Sequence, residues 1–291
     1  MSSFSRTNSG LSNLNLFCQS DLIAYTEGGS KSYSLEEVLD GKYSKSSIDI
    51  KFWTCIFNTL GCSKKITFRA IGSKNSGKEL TEKIINGNIK NSIIIKDRDL
   101  DDFLESIIDH PNVIYTKGYS WENDVFQKEI TLDSLHHLVD QELSDEEILH
   151  VDNLYSQIEN QLKKLIRLEI FCRKSGVSLL TDLAGEALIN EKIEFSKETV
   201  FSTVRKKSQQ VPRPCKKVNF RRDINPYLDC YGKMISTLAY RIICFYSKQY
   251  NSQKSMPKDL VTKFFMQNYQ TLLKSKNDEY YVEVVQKINQ I

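Results

Sequence analysis

The chain has 291 residues, 40% of them hydrophobic and 26% charged, with 14 Tyr and 14 Phe. That is core material for one large domain or two modest ones, and it excludes wholesale disorder. No apolar run approaches the ~20 residues that cross a bilayer, and the N-terminus lacks a basic stretch followed by an apolar one. A cytoplasmic, non-membrane protein is expected, with residues 1–19 as a flexible tail. The net charge is only +3, but its distribution is uneven. Sixteen acids stand against three bases from Asp97 to Asp152, and eight bases with no acid run from Thr199 to Arg222. One region suits cations and the other a polyanion, with a solvated loop as the plain alternative for the second. Cys18, Cys55, Cys62, Cys172, Cys215, Cys230 and Cys244 form no CxxC, which argues against a disulfide framework or a structural zinc site.

In chain order, Asp21 to Thr26 (DLIAYT) is an apolar run ending at Glu27-Gly28-Gly29, the pattern of a buried strand and a turn. Ser34 precedes Glu37 by three residues ahead of Val38 and Leu39, which predicts a capped helix start. Lys65 to Ile71 alternates as a second strand, and Gly77 to Ile85 follows as an amphipathic helix. Asn91 to Lys96 is a third strand, broken by Asp97-Arg98-Asp99. A helix carrying Phe103, Leu104, Ile107 and Ile108 is expected before a fourth strand, Val113 to Thr116. Strands this apolar, alternating with helices, predict a parallel sheet covered on both faces, with acids and glycines at its carboxyl edge. Beyond it the chain turns helical. Asp145 to Phe171 repeats apolar residues at spacings of three and four, residues 203–225 read as a basic loop around Pro212 and Pro214, and Tyr227–Tyr246, Asp259–Leu273 and Tyr280–Ile291 read as helices.

Two sites compete in the α/β part. Gly72 to Glu79 (GSKNSGKE) sits between strand and helix like a nucleotide-binding loop. Glu79 stands where such a loop needs a hydroxyl for Mg²⁺, so a plain glycine-rich turn is the stronger reading, with Lys74 and Lys78 available to a nucleic-acid phosphate. The other site uses Glu27 after the first strand with Asp97 and Asp99 after the third, and Asp101 nearby. If those strands are adjacent, the carboxylates meet and need a cation, and oxygen-only ligands favour Mg²⁺ or Mn²⁺. Removing one acid from such a like-charged cluster is expected to leave stability unchanged or higher without metal.

A strand, Glu-Gly, and a distant DxD after another strand resemble the Toprim domain of topoisomerases, primases and related nucleases. AYTEGGSKS, IIIKDRDLD, YTKGYSWEND and the late YGKMIST are similar to blocks of Toprim-like nucleases encoded beside ABC-type ATPases, from about Leu22 to Glu129 with an anchor near Gly232-Lys233. Family members often carry an acid shortly after the Glu-Gly, where this chain has Ser30, Lys31 and Ser32; that bears on the number of metals. The resemblance implies a Toprim-like (Rossmann-type) α/β domain over residues 20–130 and a helical domain over 131–291. It makes Glu27, Asp97 and Asp99 the metal-binding and catalytic acids, with Asp101 and Glu122 as further ligands. Glu27 is alternatively a general base, and Glu122 alternatively an inert helix-start acid. Lys74, Lys78 or Lys96 would offset phosphate charge, Lys78 being placed among the catalytic residues.

The implied activity is Mg²⁺-dependent phosphodiester cleavage by a toxic anti-phage effector under an ABC-type ATPase partner. Its target would be nucleic acid, tRNA in particular, and a homodimer is one assembly considered. Arg205, Lys206, Lys207, Arg213, Lys216, Lys217, Arg221 and Arg222 join Lys74 as candidate nucleic-acid contacts, unless that segment docks the ATPase. The alternative is a non-catalytic nucleic-acid-binding or scaffolding subunit of the same shape.

Overall fold

The computed structural model describes residues 7–29, 31–72, 74–180, 189–190, 192–211, 218, 220, 222–251 and 256–291. Its elements, in chain order, begin with α1 (Asn8–Ser12), α2 (Leu14–Phe17), β1 (Leu22–Thr26), α3 (Leu35–Leu39), α4 (Ile48–Thr59), β2 (Ile66–Ala70), α5 (Lys74–Ile85), β3 (Ser92–Lys96) and β4 (Val113–Tyr115). There follow α6 (Trp121–Val125), α7 (Lys128–Leu138), α8 (Asp145–Lys174), α9 (Lys197–Ser208), α10 (Gly232–Tyr250), α11 (Lys258–Ser275) and α12 (Glu279–Gln290). Among these residues no helix is long and apolar enough to cross a membrane.

The strands pair in the order β2-β1-β3-β4, all parallel. Covered by helices and followed by a helical second half, they make the Rossmann-like α/β arrangement that the apolar strands predict. Successive strand residues point to opposite faces. Ile23 and Tyr25 of β1 and Ile94 of β3 share a buried cluster with Leu11, Leu14, Val38, Leu80 and Ile84, so α1, α2, α3 and α5 cover that face. On the other, Phe57 of α4 stacks on Phe68 of β2, with ring centroids 6.0 Å apart.

The chain divides into two compact units: Met1–Asp97 with Ile108–Thr116 and Gln270–Ile291, and Arg98–Ile107 with Lys117–Tyr269. This partition differs from a break at residue 130, because α12 belongs with the sheet. Tyr281 packs edge-on against Phe52 and Trp53 of α4 at 5.8 and 5.7 Å, Tyr280 Oη donates to Tyr115 O at 2.8 Å, and Asn289 Oδ1 accepts from Ser63 N at 2.9 Å. In the second unit α10 buries Met234, Ile235, Leu238, Ala239, Ile242 and Ile243, and α8 buries Val151, Leu154, Ile158, Leu162 and Leu165 of the three-and-four stripe read from its sequence, while Ile148 is only half-buried and Leu168 is exposed.

Local chemistry sets the boundaries. Ser34 and Glu37 form the expected capping box, Ser34 Oγ accepting from Glu37 N at 3.2 Å and Glu37 Oε2 from Ser34 N at 3.0 Å. Several expectations are corrected. Residues 7–18 are not a loose tail, since Leu11 and Leu14 are buried. Residues 103–105 form turns and residues 106–108 are irregular, in place of the expected helix, with Asp99 and Glu105 at φ 50° and 60°, a left-handed backbone that helix propagation does not admit. Residues 203–208 are helical, in α9, rather than part of a loop.

The β2-to-α5 turn needs its glycine. Gly72 has φ +64°, and a Cβ there would lie 1.9 Å from Lys31 O. Gly72→Ala is expected to cost at least about 1 kcal/mol of stability, read as a lower urea midpoint at unchanged slope. An unchanged midpoint would mean that the turn re-forms without the glycine.

Candidate functional site

The parallel pairing of β1 with β3 sets Thr26 opposite Ile95, and Glu27 N donates to Ile95 O at 3.3 Å. Glu27 and Asp97 therefore leave the carboxyl edge of two adjacent central strands, the adjacency that the sequence reading required. The neighbour of Glu27 is Lys96, the last residue of β3. Its Nζ lies 2.8 Å from Glu27 Oε1, and the two side chains are only 14% and 7% exposed.

That pair corrects the expectation of mutual acid repulsion at Glu27. Removing Glu27 strands a mostly buried ammonium, so Glu27→Ala should lose stability, by up to about 3 kcal/mol, instead of holding or gaining it.

On the other side of Glu27 stands Gly77 of α5, where a Cβ would lie 3.0 Å from Glu27 Oε1 and 3.3 Å from its Cγ. The second glycine of GSKNSGKE is thus a close-approach residue for a carboxylate. Because α5 already begins at Lys74, Gly77 and Lys78 lie within the helix. A phosphate-cradling loop needs unbonded backbone amides there, and this overturns the nucleotide-loop reading. Lys74 and Lys78 are exposed on α5.

Sequence reasoning missed Asp49. Ser47 caps α4, accepting from Ile50 N at 3.1 Å, and Asp49 lies in the first turn. Its carboxylate rests on Gly28: a Cβ at Gly28 would be 2.0 Å from Asp49 Cγ. The Glu-Gly dipeptide after β1 therefore has two separate reasons, a carboxylate at the first position and room for another at the second. Burial raises the Asp49 pKa, opposed by hydrogen bonds from its own amide and from Ser47. The available signal was the Ser-x-Asp helix start, which says nothing of what the acid faces.

Asp99, Asp101 and Glu122 lie in the second unit. Asp99 N donates to Tyr119 O at 2.8 Å. Burial, then the Asp99 charge, pushes the Tyr119 pKa far up. Asp101 Oδ1 accepts from Ser106 Oγ at 3.0 Å. Glu122, in the first turn of α6, accepts from Ser120 Oγ at 2.6 Å.

The motif blocks around them interlock. Asn123 Nδ2 donates to Tyr227 O and Cys230 O at 2.6 and 2.8 Å, and a Cβ at Gly232 would lie 2.0 Å from Ser120 Oγ and 3.0 Å from Glu122 Oε2. The late YGKMIST block is therefore tied to YSWEND by packing around its glycine.

Arg205, Lys206 and Lys207 occupy the last turn of α9, where cations complement the helix dipole. Arg213, Lys216, Lys217 and Arg221 lie outside the described residues. Arg222 is engaged within the chain: it pairs with Asp102 and Asp229, each at 2.6 Å, and covers the Phe103 ring at 4.4 Å. Its charge therefore has two acid partners of its own.

Glu27 and Asp97 present hard oxygen donors of the kind that bind Mg²⁺, an ion commonly held through one or two carboxylates with waters and substrate phosphates. The close fit of Gly77 keeps the Glu27 carboxylate at the strand end. Among the described residues no three His, Cys, Asp or Glu side chains gather into a metal-holding group. No protein-family model matches the chain, and no curated protein matches it.

Asp49 gives a pH prediction. With a folded pKa above the unfolded value, the native state binds the extra proton between the two, so this group's contribution falls as pH rises through that window. Asp49→Asn should therefore be more stable than the wild type near neutral pH and indistinguishable from it below about pH 3.9. Urea midpoints measured across that range test this, and parallel curves for the two proteins would remove Asp49 from the account.

Proposed function

We propose that this chain is a cytoplasmic Mg²⁺-dependent Toprim-type nuclease, a toxic effector restrained or triggered by an ABC-type ATPase. Its motif blocks resemble those of AriB, the effector nuclease of the PARIS anti-phage system, which makes tRNA the first target to examine. The observation that carries the reading is the pairing of β1 with β3, which brings Glu27 out beside Lys96, with Asp97 the next residue, at the carboxyl edge of a parallel sheet, the usual ligand edge of such sheets.

Mg²⁺ at those carboxylates would supply a polarised water and charge neutralisation at the departing oxygen. Glu27 and Asp97 would bind and orient it. Lys96, already at the Glu27 carboxylate, suits a non-bridging phosphate oxygen once Glu27 is otherwise engaged. Glu27 is alternatively the base that takes the proton of the attacking water. The basic last turn of α9 suits nucleic-acid backbone.

The decisive experiment is incubation of the purified full chain, freed of partners, with labelled tRNA and Mg²⁺. Cleavage is expected, and it should be lost on chelation and in Glu27→Gln and Asp97→Ala. Glutamine is used because it keeps a hydrogen-bond acceptor for Lys96. Asp99→Ala and Glu122→Ala in the same assay measure whether those acids belong to the ligand set. Binding of tRNA without cleavage would leave the scaffolding reading standing.

For the basic turn, Lys206→Ala with Lys207→Ala should weaken tRNA binding and flatten its log–log salt dependence by about 0.7 per lost contact. If affinity holds while association with the ATPase fails, the turn is a docking element.

A further inference from the structure

We propose that Cys18 is a modification site, oxidised by hydroperoxides to a sulfenate that the buried Arg69 guanidinium holds. Arg69 stands opposite Tyr25 in the pairing of β2 with β1, so its side chain shares the face of the sheet that α1, α2 and α3 cover. It is only 3% exposed. Its Nη2 donates to Cys18 Sγ at 3.7 Å, and its Cζ lies 3.9 Å from the centre of the Tyr43 ring. Among the described residues its Nε has no hydrogen-bond partner, and no carboxylate forms an ion pair with it.

A guanidinium keeps its charge in any protein, and taking it out of water without an acid beside it is expensive. The Tyr43 ring offsets part of that cost. The Cys18 thiol offsets little, because neutral sulfur is a weak acceptor. An apolar side chain of similar volume would join β2 to α2 at least as well, whereas only the guanidinium can hold an anion at the sulfur. Cys18 closes the single turn of α2 and is half-buried, within reach of a small oxidant. Two residues on, Ser20 Oγ is buried without a partner, a second unused donor close to the sulfur in the chain.

The peroxide supplies the oxidising equivalents. The sulfur, as thiolate, attacks one peroxide oxygen; an S–O bond forms, the O–O bond breaks, and the leaving oxygen takes up the proton that the thiol released and departs as water or an alcohol. Sulfur loses two electrons and the peroxide gains them. The sulfenic acid gives its proton to solvent, and its anion receives charge-assisted hydrogen bonds from Arg69. A small thiol returns the residue to its starting state. Cys55 and Cys62, also half-buried, are the internal references: Cys62 Sγ donates to Asn289 Oδ1 at 3.5 Å, Cys55 Sγ lies 4.0 Å from Thr59 Oγ1, and burial raises the pKa of both.

The test treats the full chain with hydrogen peroxide in the presence of dimedone, which traps sulfenic acids, and reads the labelled cysteines by peptide mass spectrometry. Cys18 should label about tenfold faster than Cys55 and Cys62, the worth of one hydrogen bond to a charged group. Arg69→Met should remove that preference, and Arg69→Lys, which keeps the charge without the fork, should retain part of it. Arg69→Met is expected to fold, because it removes a buried cation that has no acid. Without dimedone, brief peroxide treatment should raise the urea midpoint of the wild type, leave those of Arg69→Met and Cys18→Ser unmoved, and be undone by dithiothreitol.

The proposal is overturned if Cys18 labels no faster than Cys55 and Cys62, if folded Arg69→Met labels at the wild-type rate, or if oxidation lowers the wild-type midpoint. None of these measurements involves nucleic acid or Mg²⁺, so the nuclease reading can fail without touching them.

Discussion

The hydrogen-bonded ladder between β1 and β3 is the constraint on which the first unit turns. Its register, Thr26 opposite Ile95, decides that Glu27 emerges beside Lys96 and one step short of Asp97. A slip of one residue would turn every β1 side chain to the other face and send Tyr25 out of the cluster it shares with Ile94 and Leu80. Placement of the acids and packing of the core are therefore the same fact. The ion pair at the strand ends adds a second condition, because a carboxylate this sheltered is tolerable only with a cation against it.

How much of this was legible follows from the reach of each signal. β1 and β3 stood out because strands buried on both faces are written as unbroken apolar runs, and the acids that stop those runs were visible for the same reason. Lys96 was harder to place. A lysine at a strand end ordinarily reads as solvent-facing, and only the neighbouring strand shows that it meets Glu27.

Asp49 and Gly77 needed tertiary information of the same kind: one carboxylate needs Gly28 beside it and another needs Gly77, and neither pairing has a sequence period. The helix expected over Phe103 to Ile108 had the right apolar spacing, but spacing carries no record of the left-handed backbone at Asp99 and Glu105. Arg222 looked like part of a basic run until Asp102 and Asp229 were found on it.

The glycines of the two units have a common logic. Gly28, Gly77, Gly118 and Gly232 each leave space occupied by a polar side chain or a carbonyl: Asp49 at the first, Glu27 at the second, Asn123 and Leu228 O at the third, and Ser120 at the fourth. In each case the absent side chain lets polar groups stand closer to backbone than a β-carbon allows. Short motifs built this way recur as fixed words because the glycine and the polar residue form one object, even where the sequence separates them widely.

The position of α12 has a bearing on how the protein is made. Its Tyr281 completes the aromatic packing over Phe52 and Trp53 of α4, two residues made long before it. A growing chain therefore carries an unfinished hydrophobic surface until α12 has been made, and the sheet unit reaches its full set of contacts only once that helix has docked.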